Sequence, residues 1–402
     1  MILFGHPAGN PNSHHAALAH FEKGRLAAFC VPWMPSTAAL QILKAVPQLR
    51  PMAQRLSRRM FPLLEGAPKI QGRLGEFRRL FLRAIGMGGE RLSYEANDWV
   101  MRTMRHACRR TEVSAVHCYE DASLWQFQEA KRLGKACIYD MPIGYYPAWE
   151  RKQAELARQF SDWLPAPGLP SEKFVRPEQK RLEMELADLV LAPSLFVENT
   201  IRDFYPEKKI ARASYGVDLD FWNPRGPSRP PGPLRFIYVG QLSIRKGIPV
   251  LLRAWKQAGL TDATLTLVGN WQLAEHSRRE LDKTVEYHGP CASWEIRRWF
   301  HASDVFLFPS FFEGFALVVL EAMACGLPVV ASDAIIGSDM LDDSSGRATQ
   351  AGDIDGLVHC LRWFSEHRDS LQAMSEAARS KVERFSWERY RQCVSSAVSP
   401  FV

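Results

Sequence analysis

The sequence predicts an α/β protein of two successive doubly wound domains, each with a parallel sheet, facing one another across a cleft. Three observations predict it. Short apolar segments alternate with helical ones along the first half of the chain. The run NPRGPSRPPGP, residues 223–233, holds too much Pro and Gly for a helix or a central strand. After that run the alternation begins again. The chain has 402 residues, and roughly 100–200 residues per domain makes two domains the economical solution. The expected division is 1–222, a linker at 223–233, a second domain at 234–384 and a closing segment at 385–402.

In the first domain the strands are expected at MILF (1–4), LAAFCV (26–31), AVHCY (115–119), KACIYDM (135–141) and LVLAP (189–193). Residues 38–110 read as helical throughout and are too long for one crossover, so they predict an insertion on the sheet. Residues 148–188 read as a pair of charged helices. In the second domain, strands are expected at RFIYVG (235–240), ATLTLVG (263–269), VEYHG (285–289), DVFLFP (304–309) and LPVVAS (327–332). Helices are expected between them at 247–258, 272–282, 293–301 and 316–325. The last is closed by Gly326 just past its end and Pro328 beyond.

Composition excludes several classes. Hydrophobic residues make up 46% and charged residues 24%, which is globular usage. No apolar run reaches the ~18 residues of a membrane-spanning helix. MILFGHPAGNPNSHH reads as strand and loop rather than as a secretory signal. The eight cysteines include no Cys-x-x-Cys pair, so reduced buried thiols in a cytoplasmic protein are expected, without a zinc or redox site. Residues 1–110 carry 17 Lys/Arg against 6 Asp/Glu, whereas the other 292 carry 34 against 38. The basic surplus belongs to the first quarter.

The chemistry gathers in FPSFFEGFALVVLEAMACGLPVVAS. Glu313 and Glu321 bracket seven residues with no ionisable group. Gly314 admits a ligand close to the backbone, and the amides of Phe315, Ala316 and Leu317 are expected as free donors at a helix N-terminus, where an anion such as diphosphate is favoured. Carboxylates flanking an anion site do not bind its phosphates; sugar or ribose hydroxyls are their natural partners. The plain alternative for Glu321 is a salt bridge on a buried helix. In RFIYVGQLSIRKGIPVLLRAW, Gly240 ends a strand, and Arg245 and Lys246 stand in the following loop, placed to hold phosphates. A solvated charge pair is the alternative there. The segment SYGVDLDFWNP (214–224) taken singly is a turn.

Together these three segments resemble the retaining glycosyltransferases of the GT-B superfamily, family 4, "group 1" type. The resemblance covers residues 214–332 well, and FSWERYRQ (385–392) is similar to the family's terminal helix, which crosses back to the first domain. It implies that Glu313 faces the donor sugar, that Glu321 binds the nucleotide's ribose hydroxyls and that Arg245 and Lys246 grip the diphosphate. Arg245, Lys246 and Glu313 are then the catalytic candidates. Gln241 stands where many members carry Arg. The first half matches more loosely. GHPAGNPNSHH (5–15) falls where the family has a Gly-rich loop, making Gly9, Asn10, His14 and His15 acceptor-side candidates; a capping and solvent role is the alternative for the two histidines, and His6 is equally open. Asp140 in IYDMP takes the place of a cleft histidine in many relatives, or caps a turn. Glu185, Asp188 and the following LVLAPSLFVENTIRDF resemble a segment that is mostly structural.

The resemblance implies transfer of a hexose from a UDP- or GDP-linked sugar to a saccharide or lipid-linked acceptor with retention of configuration, needing neither metal nor other cofactor and involving no nucleic acid. An enzyme of the cytoplasm, peripheral on the inner face of the membrane, is the expected setting. A sugar-nucleotide epimerase or phosphorylase of the same fold is one alternative, and a non-catalytic binder of anionic polymers is another. The stretch LGEFRRLFLRAI (74–85) predicts a helix with Leu74, Phe77, Phe81 and Ile85 near one face and Arg78, Arg79 and Arg83 mostly elsewhere. It either docks in the core with its arginines in water or lies on an anionic membrane surface.

Overall fold

The computed structural model describes residues 1–57, 59–84, 87, 91–165, 176–224, 232–334 and 340–402. The first sheet has seven parallel strands: β1 Ile2–Gly5, β2 Leu26–Val31, β3 Lys69–Gln71, β4 Ala115–Tyr119, β5 Ala136–Asp140, β6 Leu189–Ala192 and β7 Ile210–Arg212, in the order 3-2-1-4-5-6-7. Helices α1 Pro11–Glu22, α2 Thr37–Ala45, α3 Arg50–Ser57, α4 Arg73–Ala84, α5 Arg91–Ala107, α6 Leu124–Arg132, α7 Tyr146–Gln159, α8 Pro177–Leu186 and α9 Leu195–Arg202 belong to this half. The second sheet has six parallel strands: β8 Leu234–Val239, β9 Ala263–Val268, β10 Val285–His288, β11 Val305–Phe308, β12 Val329–Ser332 and β13 Gly346–Thr349, in the order 10-9-8-11-12-13. Helices α10 Ile248–Ala258, α11 Ser293–Ala302, α12 Leu317–Ala324, α13 Ile354–Glu366, α14 Leu371–Val382 and α15 Trp387–Val398 complete the chain. The central strands are apolar because helices cover both faces: all four residues of β11 and of β12 are buried. The two halves are the Rossmann-like domains of a GT-B fold.

Several expectations need correction. Residues 38–110 are not wholly helical, because β3 lies within them as the edge strand beside β2. It escapes a hydrophobicity reading because its three residues are only half-buried. β7 and β13 escape it too, being short and poorly buried. The helix expected at 272–282 shrinks to a 3₁₀ turn at Glu275–Glu280. There the amides of Gln272 and Ala274 donate to the carbonyls of Leu242 (2.9 Å) and Trp163 (3.0 Å), which holds the chain extended before the turn. Most of the expected linker, residues 225–231, lies outside the described residues, as does 166–175 within the expected charged pair.

Helices α2, α3 and α4 form a satellite with a small core of its own, Leu40, Leu43, Met52, Ala53, Leu56 and Leu80. Its polar fastening is internal. The Glu76 carboxylate lies at 2.6 Å from Arg79 Nη2 and 2.8 Å from Arg59 Nη1, with all three side chains nearly excluded from solvent. Arg79 is therefore inside, contrary to the expectation that it stands in water or on phosphates. Leu74, Phe77 and Phe81 are exposed, so the helix does not dock its aromatic stripe into the core. Ile85 lies outside the described residues.

Several contacts join the domains around the cleft. Gly314 of the second domain abuts the backbone after β5: a Cβ there would lie 1.7 Å from the Pro142 carbonyl oxygen. Ser194, the N-cap of α9, donates from Oγ to the Gly314 carbonyl at 2.6 Å. α15 returns to the first half, where Tyr390, Val394 and Val398 pack with Ile2, Phe4 and Ala16.

Two stability outcomes follow from these contacts. Gly314→Ala puts a methyl against immovable backbone, so urea denaturation should show a loss of about 1–3 kcal/mol. Glu76→Ala leaves two buried guanidiniums without an anion; a loss of about 3–5 kcal/mol is expected, and unchanged denaturation would refute the buried triad.

Candidate active site

β8 and β11 are neighbours in the sheet, and the chain departs from them in opposite directions, so the loops after them meet where a crevice opens at the carboxyl edge. These are the loops that carry the charged candidates. They are laced by backbone bonds. The Phe311 amide donates to the Arg245 carbonyl at 2.8 Å. Gly247, at φ +75°, N-caps α10 and passes so close to Pro309 that a Cβ would lie 1.9 Å from its carbonyl oxygen. Only glycine satisfies both conditions.

The lacing brings Arg245, Lys246 and Glu313 together. Glu313 Oε1 accepts from Arg245 Nη1 at 3.1 Å, Lys246 Nζ at 2.5 Å and Ser310 Oγ at 2.7 Å. Arg245 Nη1 also donates to the Phe312 carbonyl at 2.7 Å. Lys246 Nζ sits 5.0 Å from the centre of the Phe308 ring. Burial lowers the Lys246 pKa and the Glu313 carboxylate opposes that shift. Neither cation is a solvated loop charge.

Glu321 stands apart on α12. Among the described residues it has no ion pair, and burial pushes its carboxyl up to about 7. Of the three amides expected to be free, that of Leu317 is taken by the Phe315 carbonyl at 2.7 Å; Phe315 and Ala316 precede the first turn of α12. Gly240 closes β8, and the Tyr238 hydroxyl donates to the Gln241 carbonyl at 2.8 Å, fixing the loop's exit.

Across the cleft, Gly9 and Asn10 form the turn after β1. Asn10 caps α1, its Oδ1 accepting from the Ser13 amide at 2.8 Å while Ser13 Oγ accepts from the Asn10 amide at 2.9 Å. Capping therefore belongs to Asn10, and His14 and His15 are buried rather than solvated. His14 stacks on Phe61, and His15 stacks on Trp387 at 4.2 Å and meets Arg391 Nη1 at 3.2 Å. Burial pushes their pKa values down to about 4 and about 3. Asp140 ends β5 and is 2% exposed, which is not the setting of a turn cap. Burial pushes its carboxyl up to about 7, with a hydrogen bond from Tyr119 pulling the other way.

His6, left open by the sequence, and several groups that sequence reasoning missed position the site. His6 accepts from the amides of Ala8 (3.0 Å) and Gly9 (2.8 Å) at Nδ1 and so shapes the β1 loop. Ser310 and Ser194 hold Glu313 and Gly314. Tyr119, Asp140, Tyr215 and Tyr390 gather buried polar side chains beside one another, with Tyr119 hydrogen-bonded to Asp140. A serine three residues before a carboxylate at a strand end was the one available signal. Among the described residues no group of three or more His, Cys, Asp or Glu could hold a metal ion.

Residues 233–367, which contain Arg245, Lys246, Glu313 and Glu321, match the family Glycosyl transferases group 1. The O-antigen chain mannosyltransferase B of Escherichia coli is 29% identical over 293 residues, 66% of this chain and 74% of that protein. The putative colanic acid biosynthesis glycosyltransferase WcaL of Escherichia coli K12 is 32% identical over 193 residues, 44% of this chain and 48% of that protein. The chain thus spans about half the length of this second relative. Among solved structures, sucrose-phosphate synthase from Thermosynechococcus elongatus superposes with a TM-score of 0.65 at 17% identity, covering 97% of this chain and 96% of that one. HepE from Anabaena, solved with UDP and glucose, gives 0.63 at 17% identity and 99% coverage of both. Residues 233–367 thus form a Glycosyl transferases group 1 domain, set in a chain whose two halves share the GT-B fold of these structures.

Proposed function

We propose that the protein transfers a hexose from a UDP- or GDP-linked sugar to a saccharide or lipid-linked acceptor, with retention of configuration. The observation that carries this reading is the buried cluster of Glu313 with Arg245 and Lys246 at the mouth of the second sheet. One carboxylate against two cations leaves a net positive charge in a poorly solvated crevice, which suits a diphosphate. When the diphosphate takes the two cations, the Glu313 carboxylate is released to accept from a hydroxyl of the donor sugar. Glu321 accepts from the ribose. The bond from C1 to the diphosphate oxygen breaks, the bond from C1 to the acceptor oxygen forms on the same face, and the acceptor's proton passes to the departing diphosphate oxygen. Arg245 and Lys246 stabilise the charge growing on that leaving group. HepE, of similar fold, was solved with UDP-glucose, which supports a nucleotide sugar as donor. We assign the acceptor to the side of the cleft that carries Gly9, Asn10, His14, His15 and Asp140. Incubation with a panel of UDP- and GDP-sugars and acceptors, read by release of nucleotide diphosphate and by the anomeric configuration of the product, tests the reading; an inverted product would end the retaining assignment.

Lys246→Ala should lower turnover by about ten- to a thousandfold, or ~1.4–4 kcal/mol, since the cation acts most as the leaving group gains charge. Steady-state kinetics at saturating donor measure it, and near-normal turnover would remove Lys246 from the machinery.

Glu321 supplies a pH test. Its folded, ligand-free pKa is raised to about 7, so the carboxyl is mostly protonated below that pH, while ribose hydroxyls prefer the ionised form. Binding should release a proton, and affinity for nucleotide diphosphate should fall as pH drops through 7, by up to about tenfold per unit. Glu321→Gln should weaken binding by ~1.5–3 kcal/mol and abolish the pH dependence. Calorimetry in buffers of different ionisation enthalpy reads both.

A further inference from the structure

Seven of the eleven large hydrophobic side chains exposed among the described residues lie between residues 42 and 87. They include Ile42 on α2, Leu63 before β3, and Leu74, Phe77 and Phe81 on α4, with Leu74 89% exposed. Positions 74, 77 and 81 fall at i, i+3 and i+7, one stripe of one helix. The opposite side of α4 is already filled, by Leu80 in the satellite core and by Glu76 with Arg59 and Arg79. The stripe is therefore the outward side of a helix that is firmly held on its inward side. An exposed apolar stripe of this kind marks a surface that meets something else.

The charge around it says what. Residues 37–84 carry 10 Lys/Arg against 2 Asp/Glu, a net +8, while the other 354 residues carry 41 against 42, a net −1. Lys44, Arg50, Arg55, Arg73 and Arg78 are exposed on the satellite and the segment leading into α4. A second copy of the chain, docked by the same face, would bring two such basic patches together, and like charges disfavour that pairing. A surface of negative phosphates with an apolar layer beneath is complementary to both features at once.

We propose that the α2–α4 satellite docks peripherally on a membrane containing anionic lipid, with Leu74, Phe77 and Phe81 entering the interface and Arg73 and Arg78 of the same helix meeting the headgroups. No helix among the described residues is long and apolar enough to cross a membrane, so the contact is lateral. Trp33 and Met60 pack against the satellite's core and also line a cavity of about 380 Å³ at the carboxyl ends of β2 and β3, together with Phe61 and Arg73. The docked face thus adjoins the acceptor side of the cleft. This inference goes beyond the donor chemistry and stands without it.

Sedimentation of the full-length protein with vesicles tests it, using phosphatidylcholine alone and phosphatidylcholine with phosphatidylglycerol, each at low and high salt. The wild type should pellet with the anionic vesicles at low salt, be released by high salt and stay in solution with the neutral ones. Leu74→Ser, Phe77→Ser and Phe81→Ser together should weaken vesicle binding by at least about tenfold, with the melting temperature and nucleotide diphosphate binding unchanged. Arg73→Gln with Arg78→Gln, both exposed, should also weaken binding if the triple variant is unstable. Failure of the wild type to pellet with anionic vesicles, or full binding by a folded triple variant, would overturn the proposal. So would a wild-type dimer in analytical ultracentrifugation that becomes a monomer in the triple variant, since a second copy would then cover the face. Loss of nucleotide binding in the wild type with vesicle binding intact would count against the donor reading alone.

Discussion

Glu313 accepts three donors at a single oxygen, and the arrangement of the second domain's edge depends on that meeting. Arg245 and Lys246 reach it from the loop after β8, and Ser310 reaches it from the loop after β11. Without the carboxylate, two cations would share a poorly solvated crevice and repel each other. Without the cations, a nearly buried carboxylate would carry an uncompensated charge. The cluster therefore holds the two loops in place while keeping both signs of charge available to a ligand. A site organised this way is prepared for an anion before one arrives, which is what electrostatic preorganisation requires.

The same loop carries a close approach between the domains. Glycine at 314 lets the backbone touch that of Pro142, and Ser194 secures the contact from the other side. The residue beside the central carboxylate thus helps to seat the second domain against the first. Displacing one shifts the other, so donor site and interdomain geometry are mechanically linked through one residue. On the first domain, the floor of the cleft is an unusual collection of buried tyrosines around Asp140, some from the sheet edge and one from the returning α15. Burial there favours the neutral forms of all of them.

The satellite follows a different physical rule. Its core is small, with six buried apolar residues, and a carboxylate shared by two guanidiniums supplements it. Breaking such a triad is costly, because each member then loses its compensation in a site with little water. That internal fastening turns α4 so that its acid and one arginine point in and its aromatic stripe points out.

By itself the sequence determined the two doubly wound halves, because parallel strands covered on both faces must be apolar runs and these stand out in a composition otherwise rich in charge. It determined the carboxylates, the basic loop and the helix that separates Glu321 from Glu313, since their spacing is local. Edge strands such as β3 and β7 were hidden, being three residues long and half-buried. Only the tertiary structure decided that Arg245 and Lys246 close on Glu313, partners 68 and 67 residues apart in sequence. Only it decided that Glu321 has no ion pair among the described residues and that Asn10 rather than a histidine caps α1. It alone decided which way α4 faces: periodicity defines a stripe on a helix, but the side on which its buried ion pairs form determines whether that stripe meets the core or the solvent.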